Sequence, residues 1–216
     1  MSLFAILSDA SREKKLQLFT ETMNPSPEMS ILDVGAEVDP EGLGTRQFID
    51  SYPWKDRITA VNLSPEHVQA IRKYYPGVQA AVADALALPW PDKHFDIAYS
   101  NAVIEHVGDF GRQAKMAAEI MRVSKRWFVT TPNRWYPFEF HLRLPFVTWL
   151  PWHGYRWVGR LVRYNHIERR YVVGVANDDA LLLSASGLSR CFPGSRIVKQ
   201  RVTFMAETLI AVGGAI

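Results

Sequence analysis

Cysteine is nearly absent from this 216-residue chain. Cys191 is the only one, which excludes an internal disulfide and any cysteine-built metal site. No run of roughly 18 apolar residues occurs, so no membrane-spanning helix is expected. Charge of one sign is also missing: 25 Lys and Arg stand against 22 Asp and Glu, a net +3 that does not by itself indicate a nucleic-acid protein. The first 22 residues lack the apolar core of a signal peptide, since Asp9, Arg12, Glu13, Lys14 and Lys15 follow the short Leu3–Leu7 start. These absences point to a cytoplasmic protein. With 48% hydrophobic residues, the length suits one domain over 1–216 with one substantial core.

What is present alternates. Phe4, Leu7, Leu16, Leu18 and Phe19 predict an N-terminal helix that caps the domain over 1–24, ending before Asn24-Pro25. Met29 to Val34 reads as a buried strand closed by Gly35, and 44–52 as the start of a helix. Arg57 to Leu63 is a second strand. Ser64 and Pro65 then open a helix, one as N-cap and the other as first helical residue. Strands follow over 78–83, 95–100 and 126–131, with a helix over 111–122. Strand and helix in turn, read as four repeats, predict a doubly wound α/β fold with a mostly parallel sheet. A helix over 177–188 and an antiparallel C-terminal hairpin, 197–205 with 207–212, complete seven strands.

In such sheets ligands bind outside the carboxyl ends of the strands, near the switch point of strand order. Four such ends can be read, at Asp33-Val34-Gly35-Ala36-Glu37, Asn62-Leu63, Asp84-Ala85 and Ser100-Asn101. Each is weak alone, and their order and spacing make them specific.

Together with these ends, the stretches ILDVGAE (31–37), AVNLSPEHV (60–68), VADALALPWPDKHFDIAYSNAVIEHV (82–107) and FVTTPNR (128–134) resemble the class I methyltransferases of the quinone-methylating, small-molecule type. The resemblance implies a Rossmann-like fold, S-adenosyl-L-methionine as methyl donor, and transfer to an O, N or C nucleophile. It places Asp33, Gly35, Glu37, Asn62, Leu63, Asp84, Ala85 and Asn101 around the cofactor. Asn62 would face the ribose hydroxyls, Asp84 the adenine amino group and Asn101 the sulfonium end. Two positions depart from the family. Ala36, Glu37 and Val38 follow Gly35 where further glycines are usual, and Asn62 stands where an acid is usual. A carboxylate accepts from two hydroxyls at once, whereas an amide accepts one bond and donates another. Glu37 is the nearest carboxylate that could compensate.

Methyl transfer from a sulfonium needs alignment and water exclusion, with a base only if the acceptor loses a proton. His106 is a candidate base, or a helix-start histidine packed beneath the cofactor. Glu139 and His141 are candidates at the lip of the crevice, for acceptor contact, proton removal or anchoring of the loop. Ala102 to His106 is similar to the metal-binding stretch of small-RNA 2′-O-methyltransferases, but Ala102 replaces a required Glu, so no metal is expected.

Residues 132–175 form a long insert with Trp135, Trp149, Trp152 and Trp157. From Arg122 to Arg170 there are ten Lys or Arg and two acids, Glu139 and Glu168. Aromatic rings beside arginine suit peripheral contact with a membrane through 142–163, or a lid over a hydrophobic or anionic acceptor, or a helical subdomain that buries its rings. RNA stacking suits them less. Three functions therefore compete: methyl transfer to a small-molecule, lipid or glycan-type acceptor; a catalytically inactive protein of this fold serving as binding or scaffold subunit; and a nucleic-acid methyltransferase. A nicotinamide dehydrogenase is disfavoured, because its phosphate-binding glycine pattern is absent.

Overall fold

The computed structural model describes residues 3–38, 47–139, 144–165, 170–173 and 180–214. Its centre is a seven-stranded sheet in the order β10-β11-β5-β4-β1-β2-β3. The strands are β1 (Ile31–Val34), β2 (Ile58–Asn62), β3 (Gln79–Val82), β4 (Phe95–Asn101), β5 (Ser124–Pro132), β10 (Arg196–Gln200) and β11 (Thr208–Gly214). β1 pairs in parallel with both β2 and β4, and β4 in parallel with β5. β11 runs antiparallel to β5 and to β10, which closes the sheet with the expected hairpin. The expected doubly wound, mostly parallel class is therefore the fold observed.

Both sheet faces are covered, and side-chain alternation decides which residue faces which layer. Leu32, Val34, Trp127 and Val129 join Met116, Ala117 and Ile120 of α4 (Phe110–Val123) and Leu188 of α6 (Ala185–Cys191). Ile31, Ile97, Tyr99 and Phe128 join Phe19 and Met23 of α1 (Leu3–Met23), Phe48 and Ile49 of α2 (Phe48–Ser51), and Ile71 of α3 (Pro65–Tyr74). In the second layer Phe19 meets Phe48, Tyr99 and Phe128 edge-on at 5.1, 5.5 and 5.5 Å between ring centroids. Phe48 stacks on Tyr99 at 4.0 Å.

Helix starts follow local chemistry. The Ser64 hydroxyl accepts from the backbone N–H of His67 at α3, and Asp109 from that of Arg112 at α4. α1 runs against the strands. Past its middle Lys15 donates to Asn101 at the carboxyl end of β4, and at its end the Met23 carbonyl accepts from Arg126 near the amino end of β5.

Several expectations need correction. No helix joins β3 to β4; residues 83–94 form an irregular connection that α4 anchors, so strand and helix do not alternate four times. The helix expected over 177–188 begins only after Ser184, whose hydroxyl accepts from Gly187. Residues 180–184 are not helical, and 177–179 lie outside the described residues. β10 stops at Gln200 because 201–207 turn away, so that Val202 N–H reaches the Glu207 carboxylate at 2.9 Å. The insert is only partly helical. It holds β6 (Phe138–Glu139) paired with β7 (Leu144–Pro145), a 3₁₀ turn over Val147–Trp149, α5 (Trp152–Leu161), and β8 (Val162–Asn165) paired with β9 (Arg170–Val173).

Candidate functional site

Strand order reverses between β1 and β4, since β2 and β3 extend to one side and β5 to the other. The crevice beyond their carboxyl ends is the ligand position that this topology provides. Val34 is the last residue of β1, in register with Val61 and Ser100, and its carbonyl accepts the Ser100 hydroxyl at 3.0 Å. The chain then turns at Gly35, where φ is +80°. A Cβ at Gly35 would lie 2.3 Å from Val103, so both the backbone angle and the space demand glycine. The N–H groups of Gly35 and Ala36 both point at the Val61 carbonyl, at 2.8 and 3.0 Å. Asp33 sits beneath this turn, buried, and burial pushes its carboxyl up from 3.8 to about 7.

The β2 end differs from its expected role. The Asn62 amide donates to the Ala36 carbonyl and its side-chain oxygen accepts from Ser64 N–H, both at 2.9 Å. Asn62 therefore braces the Gly35 turn against α3. Glu37 stands at the exposed rim, 3.7 Å from His67. Leu63 is 68% exposed beside them, an apolar surface at the mouth.

The β3 end is tied to the β2 end, since Ala83 N–H donates to the Asn62 carbonyl. Asp84 is exposed, and one carboxylate oxygen accepts from Leu86 N–H at 2.9 Å, which fixes the turn. Ala85 packs against the core. The run Leu88 to Asp92 explains itself as an anchor. Glu119 accepts from Leu88 N–H, and Arg122 donates to the carbonyls of Leu88 and Trp90 and to the Asp92 carboxylate. These contacts hold the Asp84 turn against α4.

The β4 end carries most of the polarity. Asn101 accepts from Lys15 at 2.9 Å and from the Thr130 hydroxyl at 2.8 Å. Ala102 next to it takes a left-handed φ of +57°, which is costly for a residue with a side chain and is found at functional turns. Glu105 is fully buried and accepts from the Thr131 hydroxyl at 2.9 Å. Its neighbour His106, in the 3₁₀ turn Ile104–His106, is exposed. Glu139 is buried in the β6–β7 hairpin. His141 lies outside the described residues; among the described residues no cluster of three or more His, Cys, Asp or Glu is placed to hold a metal ion.

One group was missed from the sequence. Lys15 is half-buried at the crest, and desolvation and then Arg12 push its ammonium down from 10.5 to about 8, while Glu105 and Glu207 act the other way. Glu207 in turn accepts from Gln200, and Gln200 donates to Ser11. The signal was present: Ser11 and Lys15 continue, at four-residue spacing, the buried stripe of Phe19 and Met23. A cation on an apolar stripe marks the place where a helix crosses a polar site.

The comparisons with known proteins bear on this geometry. Residues 32–127 match the family model described as a methyltransferase domain. The chain is 35% identical over 78 residues to the "Probable S-adenosylmethionine-dependent methyltransferase" of Mycobacterium tuberculosis, a stretch that is 36% of this chain and 28% of that one. It is 31% identical over 102 residues to the 2-methyl-6-phytyl-1,4-hydroquinone methyltransferase of Synechocystis sp., which covers 46% of this chain and 30% of that one. The chain thus matches less than a third of the length of either relative. In overall fold it superposes on a protein of Pyrococcus horikoshii with a TM-score of 0.61 and 16% identity, over 95% of this chain and 90% of the other.

Proposed function

We propose that this chain, whose residues 32–127 match the methyltransferase-domain family model, is a class I S-adenosylmethionine-dependent methyltransferase that transfers a methyl group from S-adenosyl-L-methionine to a small-molecule, lipid or glycan-type acceptor. The observation that carries this reading is the convergence of Gly35, Leu63, Asp84 and Asn101 on one carboxyl edge of the sheet, at its switch point. The residues present fit the cofactor. Gly35 lets the backbone approach closely, and Leu63 offers an apolar face for a base. Asp84 offers an exposed carboxylate for an amino group, and Asn101 would stand at the sulfonium end. Because Asn62 is engaged within the protein, Glu37 is the rim carboxylate that would take the ribose hydroxyls.

The cofactor supplies an electrophilic methyl on a positive sulfur, so no covalent help from the protein is required. Bound there, it would give that methyl to the acceptor's lone pair, its sulfur keeping the electrons of the broken carbon–sulfur bond. What remains for the chain is to align the acceptor and exclude water. α1 contributes to both, since its first half extends past the carboxyl edge where Lys15 meets Asn101. If the acceptor loses a proton, His106 and Glu139, which follow β4 and β5, are the side chains that would take it.

A second reading is favoured by one observation: Asn62 replaces the usual acid and its amide is already bonded. On that reading the chain is an inactive binding or scaffold subunit. Calorimetric titration with S-adenosylmethionine and S-adenosylhomocysteine separates the two. Binding in the micromolar range, lost in Asp84→Ala, supports the methyltransferase. Absence of binding up to millimolar cofactor would sink it in favour of the scaffold.

A further inference from the structure

The insert exposes large apolar side chains that the methyl-transfer reading does not use. Trp135, Phe146, Trp149, Leu150, Trp157 and Leu161 are all between 39% and 65% exposed. They are contiguous. The Phe146 and Trp149 rings meet at 4.9 Å, and the Trp149 indole donates to the Trp135 carbonyl at 3.2 Å. Leu150 lies along α5, with its Cβ 3.4 Å from the Cβ position of Gly154. Gly154, Trp157 and Leu161 then continue down one face of the helix at three- and four-residue spacing. α5 leads directly into the β8–β9 hairpin, where Tyr171 and Val173 are also exposed. Soluble proteins rarely leave so connected an apolar surface without a partner.

We propose that this face of the insert docks on an anionic membrane surface. Charge selects the partner. The described insert, 132–139, 144–165 and 170–173, contains five arginines and one acid, Glu139, which is buried. Arg160 and Arg170 are exposed, and the Arg134 guanidinium lies over the Trp135 ring at 5.6 Å. Among the described residues the surface therefore presents cations and apolar groups with no exposed carboxylate to repel anionic headgroups. The residue types select further. Tryptophan beside arginine suits the headgroup level of a bilayer, where the ring is half apolar and half polar. Exposed Leu150, Leu161 and Val173 have no ring for a nucleobase to stack on, whereas acyl chains accept aliphatic and aromatic groups alike. The patch also adjoins the crevice, since Arg134 and Trp135 directly follow Asn133 at the carboxyl end of β5. Membrane docking is read from this surface alone and stands apart from the methyl-transfer reading.

The test is co-sedimentation of the full chain with vesicles of phosphatidylcholine alone, and of equal parts phosphatidylcholine and phosphatidylglycerol. The parent is expected to pellet with the anionic vesicles, with a blue shift of tryptophan emission, and not with the neutral ones. Two double variants probe the two halves of the surface: Trp149→Ser with Trp157→Ser, and Arg160→Glu with Arg170→Glu. Each replaces exposed side chains, so unchanged melting is expected together with a loss of vesicle affinity of about tenfold or more. Failure of the parent to bind anionic vesicles overturns the proposal. So does full binding by both variants, or displacement of the protein from vesicles by single-stranded RNA.

Discussion

Two regions of this chain use aromatic residues in opposite ways. Beneath the sheet, Phe19, Phe48, Tyr52, Tyr99 and Phe128 are buried and meet ring to ring. In the insert, Trp135, Phe146, Trp149 and Trp157 are exposed, between 47% and 65%. The same residue class thus supplies core energy in one place and surface character in the other. What decides is the sheet: a strand offers a face on which alternate rings are buried, and the insert's two-residue strands offer none. Composition cannot make the distinction, and packing can.

The sharpest break of that comparison is Phe19→Ala. It removes a fully buried ring with four aromatic neighbours and should cost about 3–5 kcal/mol, read by urea denaturation. A loss below about 1 kcal/mol would mean that α1 is not held by this cluster.

Next comes Asp33, whose buried carboxyl is raised from 3.8 to about 7. Between these two values the folded chain holds a proton that the unfolded chain has released. Stability should therefore fall as pH rises through that window and stay low above it. Asp33→Asn removes the ionisation, so at pH 8 the apo protein should gain on the order of 3 kcal/mol and lose the slope. Thermal melts from acid to mild alkali check this, and parallel profiles for parent and variant would refute it.

Gly35→Ala is expected to cost about 1–3 kcal/mol, from a clash with Val103 and a positive φ. Adding Val103→Ala should restore the part due to the clash and leave the part due to the backbone. If the double variant is no better than the single one, Val103 is not what fills the space.

The same contrast explains what the sequence disclosed. The parallel strands, the Gly35 turn and the Asp84 turn were legible, because a buried parallel strand ending at a strained turn leaves a run of apolar residues and a glycine or acid. The role of Asn62 was not, since an amide at a strand end reads the same whether it bonds a ligand or, as here, Ala36 and Ser64. Lys15 was passed over because its contacts lie 86 positions away, at Asn101, and no local pattern encodes a helix crossing a crest. The insert was legible as composition and as helix, which α5 bears out in part, but the two-residue strands β6 and β7 and the 3₁₀ turn have too few residues to show a period.

Lys15 gives a smaller effect of opposite sign to that of Asp33. Its folded-state value is about 8 against 10.5 in the unfolded chain, so between them the unfolded chain carries the extra proton. Stability should rise with pH across that window. In Lys15→Met the rise disappears, and near pH 7 the variant should lie within about 1 kcal/mol of the parent, because relief of desolvation offsets the lost bond to Asn101. A parent profile that is flat from pH 8 to 10.5 would show Lys15 to be hydrated rather than desolvated.

The smallest expected change is the most informative about the insert. Trp157→Ser removes one of the largest side chains in the protein, yet at 65% exposure it should move unfolding by no more than about 0.5 kcal/mol. Phe19 and Trp157 then differ nearly tenfold in cost although both are aromatic residues on helices. If Trp157→Ser costs as much as a core substitution, the ring packs against the body of the protein in solution and the surface of α5 is not free to meet a partner. If it costs nothing and vesicle binding falls, the ring contributes to contact with the membrane and not to folding, which is the division of labour that separates the insert from the sheet.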